Sequence, residues 1–569
     1  MAGVPGEWNL LTHRPDPLIR CARVPGVDWM RPNSTITDMP QTSLAEYVEA
    51  LDKAGLLTRI KGERRTDELP ELMEQNPDTA VFVERVKDCT FPFLANAYGA
   101  RPMYALALGC DIKKVGLEIA RRSELRRKPQ LVDKAPCKDV ILKGDDVDLT
   151  IFPLFLHHPR DGHAYLNDTN VVSRDPDTGL IDQGIYRFMY RSKNTTNIDM
   201  RNDTHGARIH AKRYQQLGRD MPIAVIIGGP TLDKIASMVS FPGVDDWDIL
   251  GGFYGEPAQI IKCETSDLTV PANAEIVIEG RVITTEGWIH DEGPYGEYTG
   301  TYGGGLPHNN RFVVDCITHR KGAIYQYATI GGLHPGRTDM YAFQPAIDGD
   351  LFMALQRAGI LVQNVHLPPG GCSNIGYASI KTRAGGDAKQ ALAIMLAGSR
   401  QWMPKVAYVF DDDVDIYNEE RVKWAQAWRF NPQTGIVTLP GQNMLPLDPS
   451  LGTDHPPVNI SKIGFDCTIP LVGHPDPYAF EAAIVSEPLK IQSGVQPLAE
   501  HEVIRQMEAF IRAKPRTWKE VVERFAGQPY PVIYRAFGAL RPKLGRMADE
   551  RPFYPYVFAE SDFVYDTAH

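Results

Sequence analysis

The sequence of 569 residues lacks the features that mark several specialised classes of protein. Its eight cysteines are scattered without a CxxC pair, which argues against a disulfide framework or a zinc knuckle. It has no long run of Lys and Arg and a formal net charge of -10, so nucleic acid is a poor candidate partner. No stretch approaches the roughly 18 uninterrupted apolar residues of a membrane span, and residues 1–8 have neither the basic nor the apolar region of a signal peptide. We therefore expect a cytoplasmic protein without a membrane span.

The composition allows an extensive core, since 43% of the residues are hydrophobic and 23% are charged. The distribution of predicted helices and strands along the sequence indicates a small α/β domain, a sheet or barrel domain, a second α/β domain and a helical tail. The predicted boundaries are 1–134, 135–330, 331–500 and 501–569. Within the first domain, a basic stretch at 121–128 is interpreted as a solvated helix or linker.

Capping signals and apolar spacing predict the main helices and strands. Ser43 and Glu46 have capping-box spacing, and Gly55 can end the helix that follows. A second capping box, Thr517 with Glu520, predicts a helix at 518–525. Further helices are predicted at 340–358, 388–403 and 501–514. Short β-rich runs bounded by Gly, Pro and Asp predict strands at 222–229, 258–263, 274–280, 311–317, 323–328 and 405–410.

The densest chemical signal is a pair of carboxylates, Glu292 and Glu297, on either side of a Gly-Pro-Tyr-Gly turn. Such a turn can fold both carboxylates into one pocket. There, repulsion and desolvation would raise the pKa of one carboxyl and leave a proton donor beside a charged partner. The alternative interpretation is an acidic hairpin on the surface.

Two earlier segments offer a cation and oxygen donors. Arg187 ends the run 182–187 and presents a planar fork for a carboxylate or phosphate, while Gly184 would let a ligand approach the backbone. His205 is a structural histidine unless carboxylates converge on it, and Asp182 and Asp246 are the available candidates. Two oxygens and one imidazole would suit Mn2+, Mg2+ or Fe2+.

Taken together and in this order, these segments resemble the UbiD family of reversible decarboxylases. The family pattern Asn-x-Gly-Ile-Tyr-Arg is similar to residues 182–187, and Met-Arg-x-x-x-His is similar to 200–205. The family pattern Glu-Gly-Pro-Tyr-Gly-Glu/Asp is matched by 292–297. The resemblance extends from about residue 43 to about residue 448.

The resemblance implies a mixed α/β fold and a flavin cofactor. The family fold has an N-terminal α/β domain, a central split β-barrel that holds the cofactor, and a C-terminal α/β domain that mediates oligomerisation as a homodimer or hexamer. The implied cofactor is prenylated FMN, supplied by a flavin prenyltransferase. Its phosphate is bound through a divalent metal, usually Mn2+, with K+ often nearby.

The resemblance also implies which residues form the site. The metal ligands of the family fall on Asp182, His205 and Asp246, where Asp replaces an Asn at 182 and a Glu at 246; Asp245 could serve instead of Asp246. The catalytic residues fall on Arg187, Glu292 and Glu297. The cofactor-binding positions are Ile185, Tyr186, Arg187, Arg201, Asn202, Asp203, His205, Gly206 and Ala207, with Lys405 as a further candidate for the phosphate.

The implied activity is reversible, non-oxidative decarboxylation of an aromatic or α,β-unsaturated acid, with a substituted aromatic acid favoured, through a covalent adduct with prenylated FMN. Two other functions stay open: a noncatalytic subunit of a multi-protein carboxylase, and an oxidoreductase that uses ordinary flavin. A hydrolase built on His157, His158 and His163 is disfavoured, because Pro159 and Gly162 are typical of an ordinary turn.

Overall fold

The computed structural model of the chain describes most of its length. The described residues are 43–200, 206–239, 241–302, 306–337, 343–399, 403–444, 447–451, 458–470, 477–480, 495–547 and 555–558, with short pieces between 482 and 491. Within these residues, every helix falls short of the length and apolar character that a bilayer crossing requires.

The first helix, α1 (Leu44–Lys53), begins and ends as predicted. The Glu46 amide donates to the Ser43 hydroxyl, and the Ser43 amide donates to the Glu46 carboxylate, so both bonds of the capping box are present. Gly55 follows with a φ of 71°, a conformation that favours glycine. The other N-terminal elements are β1 (Leu57–Arg64), α2 (Leu69–Glu74), β2 (Ala80–Val86), β3 (Phe93–Ala95), α3 (Arg101–Leu108) and α4 (Val115–Ser123).

The basic stretch after residue 120 is not simply solvated. Helix α4 ends at Ser123, and the side chain of Arg122 is only 6% exposed. Its guanidinium donates to the Leu108 and Phe253 carbonyls and to the Glu118 carboxylate. These acceptors satisfy the buried donors of Arg122. Its side chain is therefore buried, although its charge alone predicted a position at the surface.

The central region forms a closed barrel of six antiparallel strands. Its elements are β4 (Gln130–Leu131), β5 (Val140–Lys143), β6 (Tyr165–Arg174), β7 (Ile181–Ser192), β8 (Thr195–Ile198), α5 (Gly206–Gln216), β9 (Met221–Ile227), α6 (Thr231–Ala236), α7 (Asp246–Tyr254), β10 (Gln259–Lys262), β11 (Thr269–Pro271), β12 (Ile276–Val282), β13 (His290–Asp291), β14 (His308–His319) and β15 (Tyr325–Tyr327). The order is β12-β9-β6-β7-β8-β14, and the pairing of β12 with β14 closes the ring. The predicted strand at 323–328 is shorter than expected and joins the N-terminal sheet, where β15 pairs with β3.

The C-terminal part holds a five-stranded sheet and a separate helical tail. The elements are α8 (Phe343–Arg357), β16 (Val362–His366), β17 (Ile375–Ile380), α9 (Asp387–Ala397), β18 (Val406–Asp411), α10 (Glu419–Trp428), β19 (Ile436–Asn443), β20 (Val458–Cys467), α11 (Glu500–Ala513), α12 (Trp518–Arg524), α13 (Tyr530–Leu540), β21 (Leu544–Arg546) and β22 (Tyr556–Phe558). The sheet has the order β16-β17-β18-β20-β19, and the tail has its own apolar core.

Candidate active site

Strand β7 carries Arg187, and the barrel brings three carboxylates to its guanidinium. Glu292 accepts from Nε and Nη2 at 2.8 and 2.7 Å, a two-bond fork that holds the carboxylate in one orientation. Glu297 accepts from Nη1 at 2.5 Å, and Asp199 lies 2.9 Å from Nη2. The side chains of Glu292 and Glu297 are 0% and 6% exposed. Both glutamates are therefore buried together, and the interpretation as a surface hairpin is wrong.

The electrostatics of this cluster keep Arg187 charged. Burial opposes its charge, but the carboxylates of Asp199, Glu297 and Glu292 raise its pKa well above the usual value. The guanidinium carbon also lies 4.3 Å from the centre of the Tyr295 ring, within the range of a cation–π contact. Four of the five N–H groups of Arg187 face carboxylates, so at most one remains for a further anion.

Asp199 is the member of the cluster that sequence reasoning missed. It follows β8, which pairs with β7 and places Asp199 across from Arg187; its amide donates to the Arg187 carbonyl at 3.1 Å. Asn309, which is 0% exposed, donates from Nδ2 to the Asp199 carboxylate at 3.1 Å. The only local indication was that Asp199 directly precedes the predicted segment 200–205. That position does not predict the strand pairing that brings Asp199 to Arg187.

The turn between the two glutamates is fixed by the backbone. It contains a cis peptide bond between Gly293 and Pro294. The Glu292 amide donates to the Pro307 carbonyl at 3.1 Å, and the Glu297 amide donates to the Thr301 carbonyl at 2.8 Å. The backbone of each glutamate is thus hydrogen-bonded to a segment that follows the turn.

The predicted metal ligands Asp182 and Asp246 lie close together beneath the start of α5. Asp246, 2% exposed, accepts from the amide of Gln183, the neighbour of Asp182, at 2.7 Å. A Cβ placed on Gly206 would lie 2.2 Å from an oxygen of Asp182, so this carboxylate packs on the bare glycine backbone. His205, the third predicted ligand, lies outside the described residues.

Asp245 is already engaged elsewhere. One of its oxygens caps α7 by accepting from the Trp247 amide at 3.0 Å, and the other accepts from the Ile181 amide at 3.1 Å. Both oxygens therefore have structural roles, which favours Asp246 over Asp245 as the predicted ligand.

Burial disfavours the charged forms of Asp182 and Asp246. It raises the pKa of Asp182 to about 7. It raises the pKa of Asp246 well above its usual value, with a further increase from the charge of Asp182. Within the described part of the chain, both side-chain polar atoms of the neighbouring Gln183 are buried without a hydrogen-bond partner. Carboxylate oxygens such as those of Asp182 and Asp246 are the ligands that a hard divalent cation prefers.

The predicted flavin-lining residues fall into three groups. Ile185 lies on the same face of β7 as Arg187, two residues away. The Ala207 amide donates to the buried Tyr186 hydroxyl at 3.2 Å, which joins the start of α5 to the barrel. Arg201, Asn202 and Asp203 lie outside the described residues.

Lys405 lies before β18 in the C-terminal sheet. Its ammonium forms an ion pair with Asp448 and donates to the Ser450 hydroxyl at 3.2 Å. The contacts of Lys405 therefore belong to the C-terminal part of the chain, and its role at a phosphate stays a prediction.

Three family models match the chain along most of its length. They describe the N-terminal, the Rift-related and the C-terminal domains of 3-octaprenyl-4-hydroxybenzoate carboxy-lyase, and they match residues 48–123, 130–334 and 347–467. The chain belongs to the UbiD family. Members of the UbiD family are carboxy-lyases, which confirms the resemblance found in the motifs.

Individual relatives are similar over more than two thirds of the chain. A phenolic acid decarboxylase of Sedimentibacter hydroxybenzoicus is 29% identical over 467 residues, which cover 76% of this chain and 93% of the relative. The UbiD-class enzyme HmfF from Pelotomaculum thermopropionicum, solved in complex with FMN, is 29% identical with a TM-score of 0.71, over 78% of this chain and 97% of HmfF. The vanillic acid decarboxylase of Sedimentibacter hydroxybenzoicus is 25% identical with a TM-score of 0.67, over 84% of this chain and 100% of that one.

Proposed function

We propose that the protein is a prenylated-FMN-dependent enzyme that reversibly decarboxylates a substituted aromatic acid. The observation that carries the proposal is the buried cluster of Arg187 with Glu292 and Glu297 on the barrel face that also presents Ile185. The relatives named phenolic acid decarboxylase and vanillic acid decarboxylase support an aromatic substrate, and HmfF has been solved with FMN and, in an evolved dimeric form, with prFMN.

The described residues fit the proposed cofactor and its metal. Asp182 and Asp246 supply carboxylate oxygens for Mn2+ or a similar ion, to which the phosphate of the flavin would bind, with K+ as a second ion. Ile185 and the Tyr186–Ala207 contact would support the flavin ring. When bound, prenylated FMN supplies an electrophilic centre that takes up the electron pair released as the carbon–carbon bond breaks.

The residues of the cluster can handle the carboxylate and the proton. The remaining N–H of Arg187 can orient the substrate carboxylate, which leaves as CO2. The carbon that lost it then needs one proton, and we assign its delivery to Glu297. Arg187 holds Glu292 through two parallel bonds and also donates to Glu297, so one cation orients both carboxylates. Solvent would return the proton to Glu297 after each turnover, and Glu292 completes the network.

The first experiment is native mass spectrometry with a UV-visible spectrum on protein co-produced with a flavin prenyltransferase. We expect bound prenylated FMN, about one divalent metal per chain, and CO2 release from hydroxylated benzoic acids. Ordinary flavin with two-electron turnover and no CO2 would instead favour the oxidoreductase. Bound cofactor without turnover until a second protein is added would favour a partner-dependent subunit. The same spectra would report the assembly, for which we propose a cytoplasmic homodimer or hexamer.

Gly206→Ala should remove most of the metal, because its Cβ would fall 2.2 Å from an Asp182 oxygen and push the carboxylate away. We expect metal affinity to fall by about 10- to 100-fold, the usual effect of disturbing a ligand's support. Equilibrium dialysis with Mn2+ and elemental analysis would measure the change. Gly538→Ala is the matched control, because a Cβ on this glycine of helix α13 meets open space. Unchanged affinity in Gly206→Ala would argue against Asp182 as a ligand.

The metal-free protein should lose stability as the pH rises from about 4 to about 7. The folded state keeps a proton on Asp182, whose pKa is raised to about 7, while the unfolded chain releases it near the usual value of 3.8. The unfolded state therefore binds fewer protons across this window, so the free energy of unfolding falls with pH, and Asp182 alone contributes at most about 4 kcal/mol to the fall. Urea unfolding at several pH values would measure the slope. Asp182→Asn should make the slope shallower and added Mn2+ should reverse it, whereas the surface control Asp177→Asn should leave it unchanged.

A further inference from the structure

The segment that precedes β6, residues 157–163, packs directly on the turn between the two glutamates. A Cβ on Gly162 would lie 2.3 Å from the Gly293 carbonyl oxygen, and a Cβ on Gly296 would lie 2.3 Å from the His158 ring. Neither glycine can carry a side chain without moving one segment away from the other. The close approach means that the position of the turn depends on residues 157–163.

The carboxylate of Asp161 is the polar link between the two segments. Its Oδ1 accepts from the Gly296 amide at 2.8 Å. Its Oδ2 accepts from the His158 amide at 3.0 Å and lies 3.3 Å from Nδ1 of the same residue. The Asp161 side chain is 0% exposed, so these bonds form away from water. A parallel backbone bond joins the Gly162 amide to the Pro294 carbonyl at 2.8 Å.

The link is itself anchored to the strand region after the turn. His158 donates from Nε2 to the Ile330 carbonyl at 2.8 Å, and its ring stacks on His157 with centres 4.2 Å apart. His157 in turn lies 3.1 Å from the buried Tyr327 hydroxyl. The two histidines therefore connect Asp161 to the chain at and after β15, a role unlike that of a hydrolase centre.

We propose that Asp161 is a positioning residue for Glu297. Gly296 directly precedes Glu297, so the bond from its amide to Asp161 sets where the Glu297 side chain starts. The Glu297 amide is held on the other side by the Thr301 carbonyl at 2.8 Å. A charged acceptor makes the Gly296 bond stronger than a neutral one, and its loss would leave a buried N–H without an acceptor. The consequence for catalysis rests on the proposed function; the anchoring of Gly296 does not.

The test compares Asp161→Ala with Asp161→Asn in the enzyme loaded with prenylated FMN. We expect Asp161→Ala to lower kcat by about 100-fold, since a misplacement of roughly 1 Å has an effect of that size, with cofactor content and KM little changed. The solvent deuterium isotope effect on kcat should rise, because the displaced acid makes proton delivery slower. Asp161→Asn keeps an acceptor for Gly296 and should recover at least about tenfold of the loss. Asp220→Ala is the matched control: Asp220 anchors another turn by accepting from the Thr285 amide and hydroxyl.

Hydrogen exchange of the peptide that contains Gly296 gives a readout that is independent of turnover. The Gly296 amide should exchange at least about tenfold faster in Asp161→Ala than in the wild type, with Asp161→Asn between them and Asp220→Ala unchanged. Unchanged exchange of Gly296 in Asp161→Ala would overturn the proposal, as would a fall in kcat with an unaltered isotope effect. If the wild-type enzyme releases no CO2 from any acid, the proposed function fails, while the exchange result still decides whether Asp161 holds the turn.

Discussion

Replacing Glu297 with Gln should lower the rate of decarboxylation by about 100- to 10,000-fold, the range that loss of a general acid produces. The amide retains an oxygen for the Arg187 Nη1 donor, which lies 2.5 Å from the carboxylate, so the cluster should keep its shape. What the amide lacks is a proton that it can give to the substrate carbon. Bound prenylated FMN should therefore remain at the wild-type level while turnover is lost.

CO2 release and deuterium incorporation from D2O would be measured together for Glu297→Gln. Both should fall in parallel, because each product molecule requires one delivered proton. Glu275→Gln serves as the matched control, since Glu275 is another buried glutamate that lies directly before β12 and pairs with Arg320 at 3.1 Å, outside the cluster. Full deuterium incorporation in Glu297→Gln would exclude Glu297 as the proton donor and would favour Glu292 in that role.

The closeness of the two glutamates could be predicted from the sequence because the information is local, although only the family motif favoured a buried site over a surface hairpin. A Gly-Pro-Tyr-Gly turn of fixed length brings Glu292 and Glu297 to one side, and no distant part of the chain is needed to see this. Helix α1 was predictable for the same reason, since Ser43, Glu46 and Gly55 specify its two ends within a dozen residues. Arg187 became recognisable only through the family motif, as a lone Arg at the end of a strand is ordinary.

The missed features depend on contacts between distant segments. Asp199 joins the cluster through the pairing of β7 with β8 and through Asn309 on β14, and neither partner can be read from the residues around it. Arg122 is buried because two carbonyls from other segments accept its donors. Helix α13 was hidden by local composition: Pro531 sits in its first turn, where proline is tolerated, and its β-branched residues are typical of a strand.

Replacing Arg187 with Met should have the largest combined effect on stability and activity. It leaves the carboxyls of Glu292, Glu297 and Asp199 without the cation that faces all three. Breaking a buried ion pair by removing one partner lowers the free energy of unfolding by about 3–5 kcal/mol, and turnover should be undetectable. Arg187→Lys should be intermediate in stability but still inactive, because an ammonium cannot form the two parallel bonds to Glu292.

Urea unfolding and CO2 release would test these variants against Arg101→Met, which breaks a buried pair with Asp348 at 2.5 Å elsewhere in the chain. Arg101→Met should lose stability but keep turnover per folded molecule. Equal losses of stability in Arg187→Met and Arg187→Lys would mean that Arg187 stabilises the barrel by packing on Tyr295 and not by balancing the carboxylates.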